Sequence, residues 1–332
     1  MNILHIGLGK TGTSSLQKHV FSKLKTKGLV DTYNDERWFH KFWEYRYYPH
    51  HSSVQKLSQL FHADTGRHMI STESLLTWNP AYWQQNCDYL HSVVGPHATI
   101  LITLREPKSY LRSLYQQCIH GGNIIRPELF FLNSDQYTLN AYKARDSMGE
   151  IFDCDSMDFQ ALAEMYAKRF DRVVIASMKS VRSLSFMRAL MDINDSDLQQ
   201  FKDKVATTGG SNKSYSDLAM RLTFARERLL NWFGLKSMGA LDRWLYAPES
   251  LSDLDYVWFR DLSLRDKLYV LPRRVFTWRR LMQSVVSKYI PSKPYELPEN
   301  TYLGKHIKNN ESFYAALESE EGGYRLYERS AS

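Results

Sequence analysis

The sequence predicts an α/β fold with a central parallel sheet flanked by helices. Short, nearly continuous apolar runs alternate along the chain with longer segments of helical periodicity, which is typical of parallel strands buried on both faces. The chain has 332 residues, of which 43% are hydrophobic and 24% are charged. It therefore holds enough apolar material for a sizeable core, and its composition excludes a mainly disordered chain.

Four strands and the helices between them can be placed in chain order. The strands are expected at 3–6, 68–72, 98–104 and 172–177, and the helices at 13–24, 81–94, 107–119 and 158–170. From about Ser183 the strands end, and helical periodicity follows at 214–233, 273–290 and 309–318. We therefore expect an α/β core at 1–215 and a mostly helical C-terminal portion at 216–332, packed on the same domain.

Cysteine content and hydropathy indicate the compartment. The three cysteines, Cys87, Cys118 and Cys154, are odd in number and widely spaced, which does not suit a disulfide framework or a Cys-rich zinc site. No apolar run approaches the roughly 20 residues of a membrane-spanning helix. The first strand begins directly after Met1, without a basic leader and apolar segment. These features predict a cytoplasmic protein.

The most informative segment is a glycine-rich loop at 7–16, GLGKTGTSSL, between the first strand and the first helix. Such a junction presents backbone N–H groups and the positive end of the helix dipole, which together bind anions. The dinucleotide-binding pattern G-x-G-x-x-G is satisfied by Gly7, Gly9 and Gly12. That pattern also needs a second apolar strand ending in an acidic residue, and the short segment ending at Asp31 is a poor candidate. An NAD(P)-binding oxidoreductase remains an alternative.

The same loop fits only part of the P-loop pattern G-x-x-x-x-G-K-[ST]. Thr13 stands where the phosphate-binding lysine should be, and the lysine lies earlier, at Lys10. The sequence therefore disfavours an ordinary ATP- or GTP-hydrolysing enzyme. The alternative is that this segment binds no ligand, and that its Ser and Thr residues only cap the start of the helix.

The segment from Lys10 to Leu16 resembles the 5′-phosphosulfate loop of the sulfotransferase family, whose members transfer a sulfuryl group from 3′-phosphoadenosine 5′-phosphosulfate (PAPS). The resemblance implies a P-loop-like sulfotransferase fold, PAPS as co-substrate and 3′-phosphoadenosine 5′-phosphate (PAP) as product. It implies that Lys10 stabilises the charge that develops on the leaving phosphate. The implied donor contacts come from the amides and hydroxyls of Lys10, Thr11, Gly12, Thr13, Ser14 and Ser15.

A second segment, REPKSYLRSLY at 105–115, follows the strand at 98–104. It resembles the 3′-phosphate motif of the same family, in which an Arg at a strand end and a Ser eight positions later bind that phosphate. Arg105 and Ser113 occupy these two positions. Pro107 suits the first turn of the helix, and Arg105 just before it can form paired hydrogen bonds with phosphate oxygens.

A third segment, TTGGSNKS at 207–214, resembles the late loop that closes the donor site in many sulfotransferases. Asn212, Lys213 and Ser214 are its candidate donor contacts. An ordinary polar loop that caps the next helix is the alternative.

The resemblance implies a general base from the end of the strand that faces the donor sulfate. The strand at 68–72 runs into Ser-Thr-Glu, so Glu73 is the expected base. A carboxylate that only caps the next helix or pairs with a surface lysine is the alternative. Other candidate bases are His5, His40, His50, His51 and His120. The sequence has no metal-binding constellation, and we expect no metal in the reaction.

The net charge of +7 and a basic amphipathic segment at 267–288 bear on partners. That segment fits an anionic membrane surface, an acidic or lipid-linked acceptor, or a packed helix with a solvated face. No nucleic-acid-binding signature is present, so we expect no nucleic acid. The expected acceptor is a carbohydrate or lipid-linked hydroxyl or amine, and the expected location is cytoplasmic, with peripheral contact at the inner membrane face left open. A non-catalytic nucleotide-binding protein is a further alternative.

Overall fold

A mostly parallel, six-stranded sheet flanked by helices forms the centre of the protein. The computed structural model describes residues 2–42, 51–121, 124–141, 151–207, 215–234, 245–246, 257–258, 263–264, 267, 278–298 and 301–329. In chain order the described strands are β1 (Ile3–His5), β2 (Thr32–Tyr33), β3 (His68–Ser71), β4 (Thr99–Thr103), β5 (Phe131–Leu132), β6 (Phe152–Asp153), β7 (Arg172–Ala176), β8 (Leu245–Tyr246), β9 (Val257–Trp258) and β10 (Tyr324–Glu328).

Helices cover both faces of this sheet. In chain order they are α1 (Thr13–Leu16), α2 (Ser22–Leu24), α3 (His51–Ala63), α4 (Trp83–Val94), α5 (Pro107–Gly121), α6 (Pro127–Phe130), α7 (Ser134–Leu139), α8 (Phe159–Arg169), α9 (Met178–Ser183), α10 (Met187–Leu190), α11 (Asp195–Thr207), α12 (Asp217–Trp232), α13 (Trp278–Leu281), α14 (Ser287–Tyr289) and α15 (Thr301–Ser319). A π-helical segment joins α1 to α2, and another joins α13 to α14.

The order of the central strands is β10-β7-β4-β1-β3-β2. β1 pairs in parallel with β3 on one side and with β4 on the other. The chain leaves β1 towards β2 and leaves β4 towards β7, so the two connections diverge between β1 and β4. In open α/β sheets, ligands bind at such a divergence, outside the carboxyl ends of the strands.

The expectation that strands end near Ser183 is wrong. β10 pairs antiparallel with β7, from Tyr324 opposite Ala176 to Glu328 opposite Arg172, and completes the sheet. Each residue of β10 is at least partly exposed at this edge, and its polar residues hide the strand signal. The helix expected at 309–318 is longer, because α15 spans Thr301–Ser319. The C-terminal portion therefore supplies a strand of the central sheet as well as helices.

The core lies on both faces of the sheet, as continuous apolar strands predict. In β4, Ile100 and Ile102 pack in the cluster on one face, whereas Leu101 packs in the cluster on the other. The three cysteines are free thiols in buried positions. Within the described ranges, no helix is both long enough and apolar enough to cross a membrane.

Candidate functional site

Four strand ends bring charged residues together at the carboxyl edge of the sheet. The glycine-rich loop follows β1, Glu73 follows β3, Arg105 follows β4, and α9 begins after β7. These are adjacent strands in the sheet, so their C-terminal loops are neighbours. The sequence-predicted Lys10, Glu73 and Arg105 therefore lie in one place.

The loop after β1 runs close to β4 and turns sharply into α1. The N–H of Leu8 donates to the carbonyl of Thr103 at 3.1 Å, which extends the β1–β4 pairing past the strand end. A Cβ atom on Gly7 would lie 1.9 Å from the Thr103 hydroxyl, so this position requires glycine. Lys10 and Gly12 have positive φ angles of 68° and 81°. The turn places the N-terminus of α1 at the sheet edge, without a side-chain cap.

Glu73 lies beside this turn and is half-buried. Its carboxylate accepts hydrogen bonds from the backbone N–H of Lys10 and from the hydroxyl of Thr13. Burial raises the pKa of Glu73 above its ordinary value of 4.5, and the positive charge of Lys10 opposes that rise. A carboxyl with a raised pKa, fixed by two hydrogen bonds, has the properties of a general base.

Arg105 ties the end of β4 to the loop after β1. Its Nη1 donates to the carbonyl of Lys10 at 3.1 Å. Burial lowers the pKa of the half-buried Arg105 guanidinium, and the nearby charges of Arg112 and Arg182 lower it further. Arg112 forms an ion pair with Glu296 at 2.7 Å, whereas Arg182 is exposed at the end of α9. An anion bound beside Arg105 would offset the repulsion from these neighbouring positive charges.

A chain of buried hydrogen bonds connects the loop to side chains of β4, β1 and β3, and the donor of each bond can be assigned. The Thr11 hydroxyl donates its only proton to the Leu8 carbonyl at 2.5 Å, so it accepts from the Thr103 hydroxyl at 2.7 Å. The Thr103 oxygen then accepts from Nε2 of His5 at 3.2 Å. Nδ1 of His5 accepts from the Ser71 hydroxyl at 2.8 Å. The chain fixes Nε2 of His5 as a donor, and because burial lowers the pKa of His5 to about 3, the imidazole is neutral and Nδ1 is the acceptor.

His5→Gln is expected to lower stability at pH 7 by about 1–3 kcal/mol, because buried hydroxyls lose their partner. It should also flatten the dependence of stability on pH. Burial lowers the pKa of His5 to about 3 from 6.5, so the unfolded chain binds this proton at a higher pH than the folded chain does. Stability that is fully present above pH 6.5 is therefore lost as the pH falls towards 3, by up to about 1.4 kcal/mol per pH unit.

Urea unfolding at several pH values across this window measures both effects. His62→Gln, which replaces an exposed histidine, is the matched control and should keep the wild-type slope. Equal slopes for wild type and His5→Gln would contradict a neutral, buried His5.

The remaining loop residues differ in their surroundings. The hydroxyl of Thr11 is fully buried in the chain below the loop, and that of Thr13 faces Glu73, so neither points freely towards an anion. Ser14 is exposed and Ser15 is half-buried in the first turn of α1. Ser113 is half-buried in the second turn of α5, the helix that follows Arg105.

The late-loop residues and the alternative bases differ in whether the structure describes them and in their burial. Asn212, Lys213 and Ser214 lie outside the described residues. Among the alternative bases, His5 and His120 are buried and His40 is exposed. His50 lies outside the described residues, and so does the side chain of His51. Glu73 is therefore the candidate base that the strand ends bring to Lys10.

Sequence reasoning did not single out Arg112, Arg182 or Trp78 as site residues. A Cβ atom on Gly9 would lie 2.8 Å from the Trp78 ring, so the indole packs directly against the loop. Arg112 follows Arg105 by two helical turns and was within the motif. Arg182 comes from α9, and only the pairing of β4 with β7 brings it near.

The acidic residue of the dinucleotide pattern lies at the other end of the sheet. Asp31 precedes β2, and one of its carboxylate oxygens accepts from the backbone N–H of Arg67 at 2.7 Å, just before β3. β2 is also separated from β1 by β3, whereas the usual dinucleotide-binding order places the second strand directly beside the first.

Within the described part of the chain, no group of three or more His, Cys, Asp or Glu side chains is arranged to hold a metal ion. Comparison with family models, with curated proteins and with solved structures finds no match to the chain.

Proposed function

We propose that this protein is a sulfotransferase of the P-loop-like type, which moves a sulfuryl group from PAPS to a hydroxyl or amine. The observation that carries the proposal is the meeting of Lys10, Glu73 and Arg105 around the start of α1. The three residues supply, in one place, a cation for a leaving phosphate, a carboxylate base and an arginine for a second phosphate. These three residues were predicted from motifs in separate parts of the sequence.

The residues fit a donor with two separate anionic groups. The uncapped start of α1, with Lys10 beside it, suits the 5′-phosphosulfate. Arg105, crowded by Arg112 and Arg182, suits the 3′-phosphate, and Ser113 lies on the helix that follows. The donor supplies the reactive sulfuryl group, and the protein positions it.

The proposed reaction uses the two functional groups beside the loop. The acceptor oxygen or nitrogen forms a bond to sulfur as the bond between sulfur and the bridging phosphate oxygen breaks. Glu73 takes the proton of the acceptor, and its pKa, raised by burial, makes it a stronger base than an ordinary carboxylate. Lys10 stabilises the negative charge that appears on the phosphate of PAP.

We extend the proposal to a carbohydrate or lipid-linked acceptor. The half-buried Trp78 packs against Gly9 and so lies at the same loop as Lys10. Sites for small polar ligands combine such an aromatic surface with a few placed polar groups. The dinucleotide alternative has less support, because Asp31 lies at the opposite end of the sheet.

Calorimetric titration with PAP, ADP and NADP, in EDTA, tests the donor assignment. We expect tight binding of PAP alone. Preference for NADP would favour an oxidoreductase, and binding of none of them would contradict the proposal. A chain that binds PAP but converts no PAPS with a panel of sugars, glycolipids and phenols would be a non-catalytic binding protein.

Arg105→Ala is expected to weaken PAP binding by about 1.5–3 kcal/mol, which is roughly tenfold to a hundredfold, because a charge-assisted contact is lost. The affinity for AMP, which lacks the 3′-phosphate, should change much less. Arg169→Ala removes an arginine that is paired with Asp88 on the surface and is the matched control. Equal losses for PAP and AMP would assign Arg105 to the loop structure, through its bond to Lys10, instead of to the 3′-phosphate.

A further inference from the structure

Two neighbouring helices expose apolar side chains that the proposed donor site does not use. The first is α12, and the second is the continuous helix from Trp278 to Tyr289, made of α13, the π-helical turn and α14. The Ser216 N–H donates to Oγ of Ser287 at 3.1 Å, and Nε1 of Trp278 donates to Oγ1 of Thr223 at 2.9 Å. The helices therefore lie side by side and antiparallel.

α12 is apolar on two faces. Ala219, Met220 and Thr223 are buried against the core. A second stripe at helical spacing points to solvent and consists of Leu222, Leu229, Trp232 and Phe233. Trp232 is 79% exposed and Phe233 is 63% exposed, which is unusual for two adjacent aromatic residues.

The helix from Trp278 to Tyr289 repeats this arrangement. It buries Met282 and Val286, whereas a stripe of Leu281, Val285, Tyr289 and the following Ile290 is exposed. We refer to the two exposed stripes together as the outer surface. Two of its three aromatic residues, Trp232 and Tyr289, are of the kinds that concentrate at the interface between lipid and water.

Basic residues accompany both stripes. On α12, Arg221 and Arg228 are exposed, and Arg221 is paired with Asp217 at 2.8 Å. The sequence from Trp278 to Lys293 contains no Asp or Glu. In this stretch the exposed Lys288 lies over the ring of Tyr289, at 4.7 Å from its centroid. The outer surface is therefore apolar with a basic border.

We propose that the outer surface binds a lipid membrane that carries anionic headgroups, with both helices lying on the membrane. The apolar stripes enter the headgroup region, and the basic residues meet the anionic lipids. Charge argues against a second copy of the chain as the occupant. A two-fold interface uses the same surface of both copies, so it would bring two basic borders of like charge into one contact. This inference does not depend on the donor site.

Co-sedimentation with vesicles of phosphatidylcholine, alone or mixed with phosphatidylserine, tests the inference. We expect binding to the mixed vesicles only, and weaker binding at roughly 1 M salt, where the Debye length is about 3 Å. The double variant Trp232→Ser/Phe233→Ser should bind at least about tenfold more weakly. Leu139→Ser, which replaces an 80% exposed leucine on α7, is the matched control and should bind like wild type.

Other outcomes overturn the inference. These are no binding to either vesicle, equal binding to both, or wild-type binding by the double variant. Dimerisation in sedimentation velocity that the double variant abolishes, without vesicle binding, would assign the outer surface to a second copy. Because both substituted residues are exposed, far-ultraviolet circular dichroism should show an unchanged fold. Lys10→Ala should bind vesicles like wild type, so a failure of the proposed donor site would not affect this test.

Discussion

Replacing Lys10 by alanine is expected to lower the turnover of PAPS to PAP by about 10²–10³-fold, because the charge of the leaving phosphate loses its stabilising cation. The variant should keep the fold of the loop. Two contacts of this residue are made by its backbone and survive the substitution, since its N–H donates to Glu73 and its carbonyl accepts from Arg105. Alanine also adopts the same positive φ at no greater strain than lysine does.

Turnover is measured as PAP formed with the best acceptor from the panel. Lys25→Ala, which removes an exposed lysine just after α2, is the matched control and should leave turnover unchanged. PAP binding to Lys10→Ala should fall less than turnover does, because the cation acts mainly on charge that develops during transfer. Unchanged turnover in Lys10→Ala would remove the assigned role.

Glu73→Gln is expected to lower turnover by about 10²–10⁴-fold and to leave PAP affinity nearly unchanged. Glutamine has the same shape and can still accept a hydrogen bond from the Lys10 N–H, but it cannot take a proton from the acceptor. Glu164→Gln, which changes an exposed carboxylate on α8, controls for the loss of one negative charge. Equal losses of turnover and PAP affinity would mark Glu73 as a structural residue.

The pH profile provides a second test of the same residue. Burial raises the pKa of Glu73 above 4.5, so the base becomes protonated, and turnover falls, at a higher pH than for an ordinary glutamate. The residual activity of Glu73→Gln should lack this acid limb. An acid limb retained in the variant would assign the titration to another group.

Much of the fold follows from apolar periodicity. The runs expected at 3–6, 68–72, 98–104 and 172–177 are β1, β3, β4 and β7, each within two residues, because continuous apolar strands occur where both faces are buried. The missed elements have weaker signals. β2 has only two residues, and β10 carries Arg325 and Glu328 at an exposed edge. Edge strands are paired on one side only, so their sequence need not be apolar.

The sequence predicts those residues of the candidate site that directly follow a strand. Lys10, Glu73 and Arg105 each follow an apolar run, and parallel strands bring such positions to one edge of the sheet. The proximity of Arg182 to Arg105 was not predictable, because it depends on which strands pair. The inward hydroxyl of Thr11 was also unexpected, since the loop sequence does not show which side chains turn down towards β4.

The buried hydrogen-bond chain limits how the glycine-rich loop can change over evolution. Thr11, Thr103 and His5 each donate to one neighbour and accept from another, so the direction of each hydrogen bond depends on the next one in the chain. A change at one position leaves a partner unsatisfied, and a compensating change at that partner then costs less than it would alone. These positions are therefore expected to vary together across related sequences, as a set drawn from β1, the loop and β4.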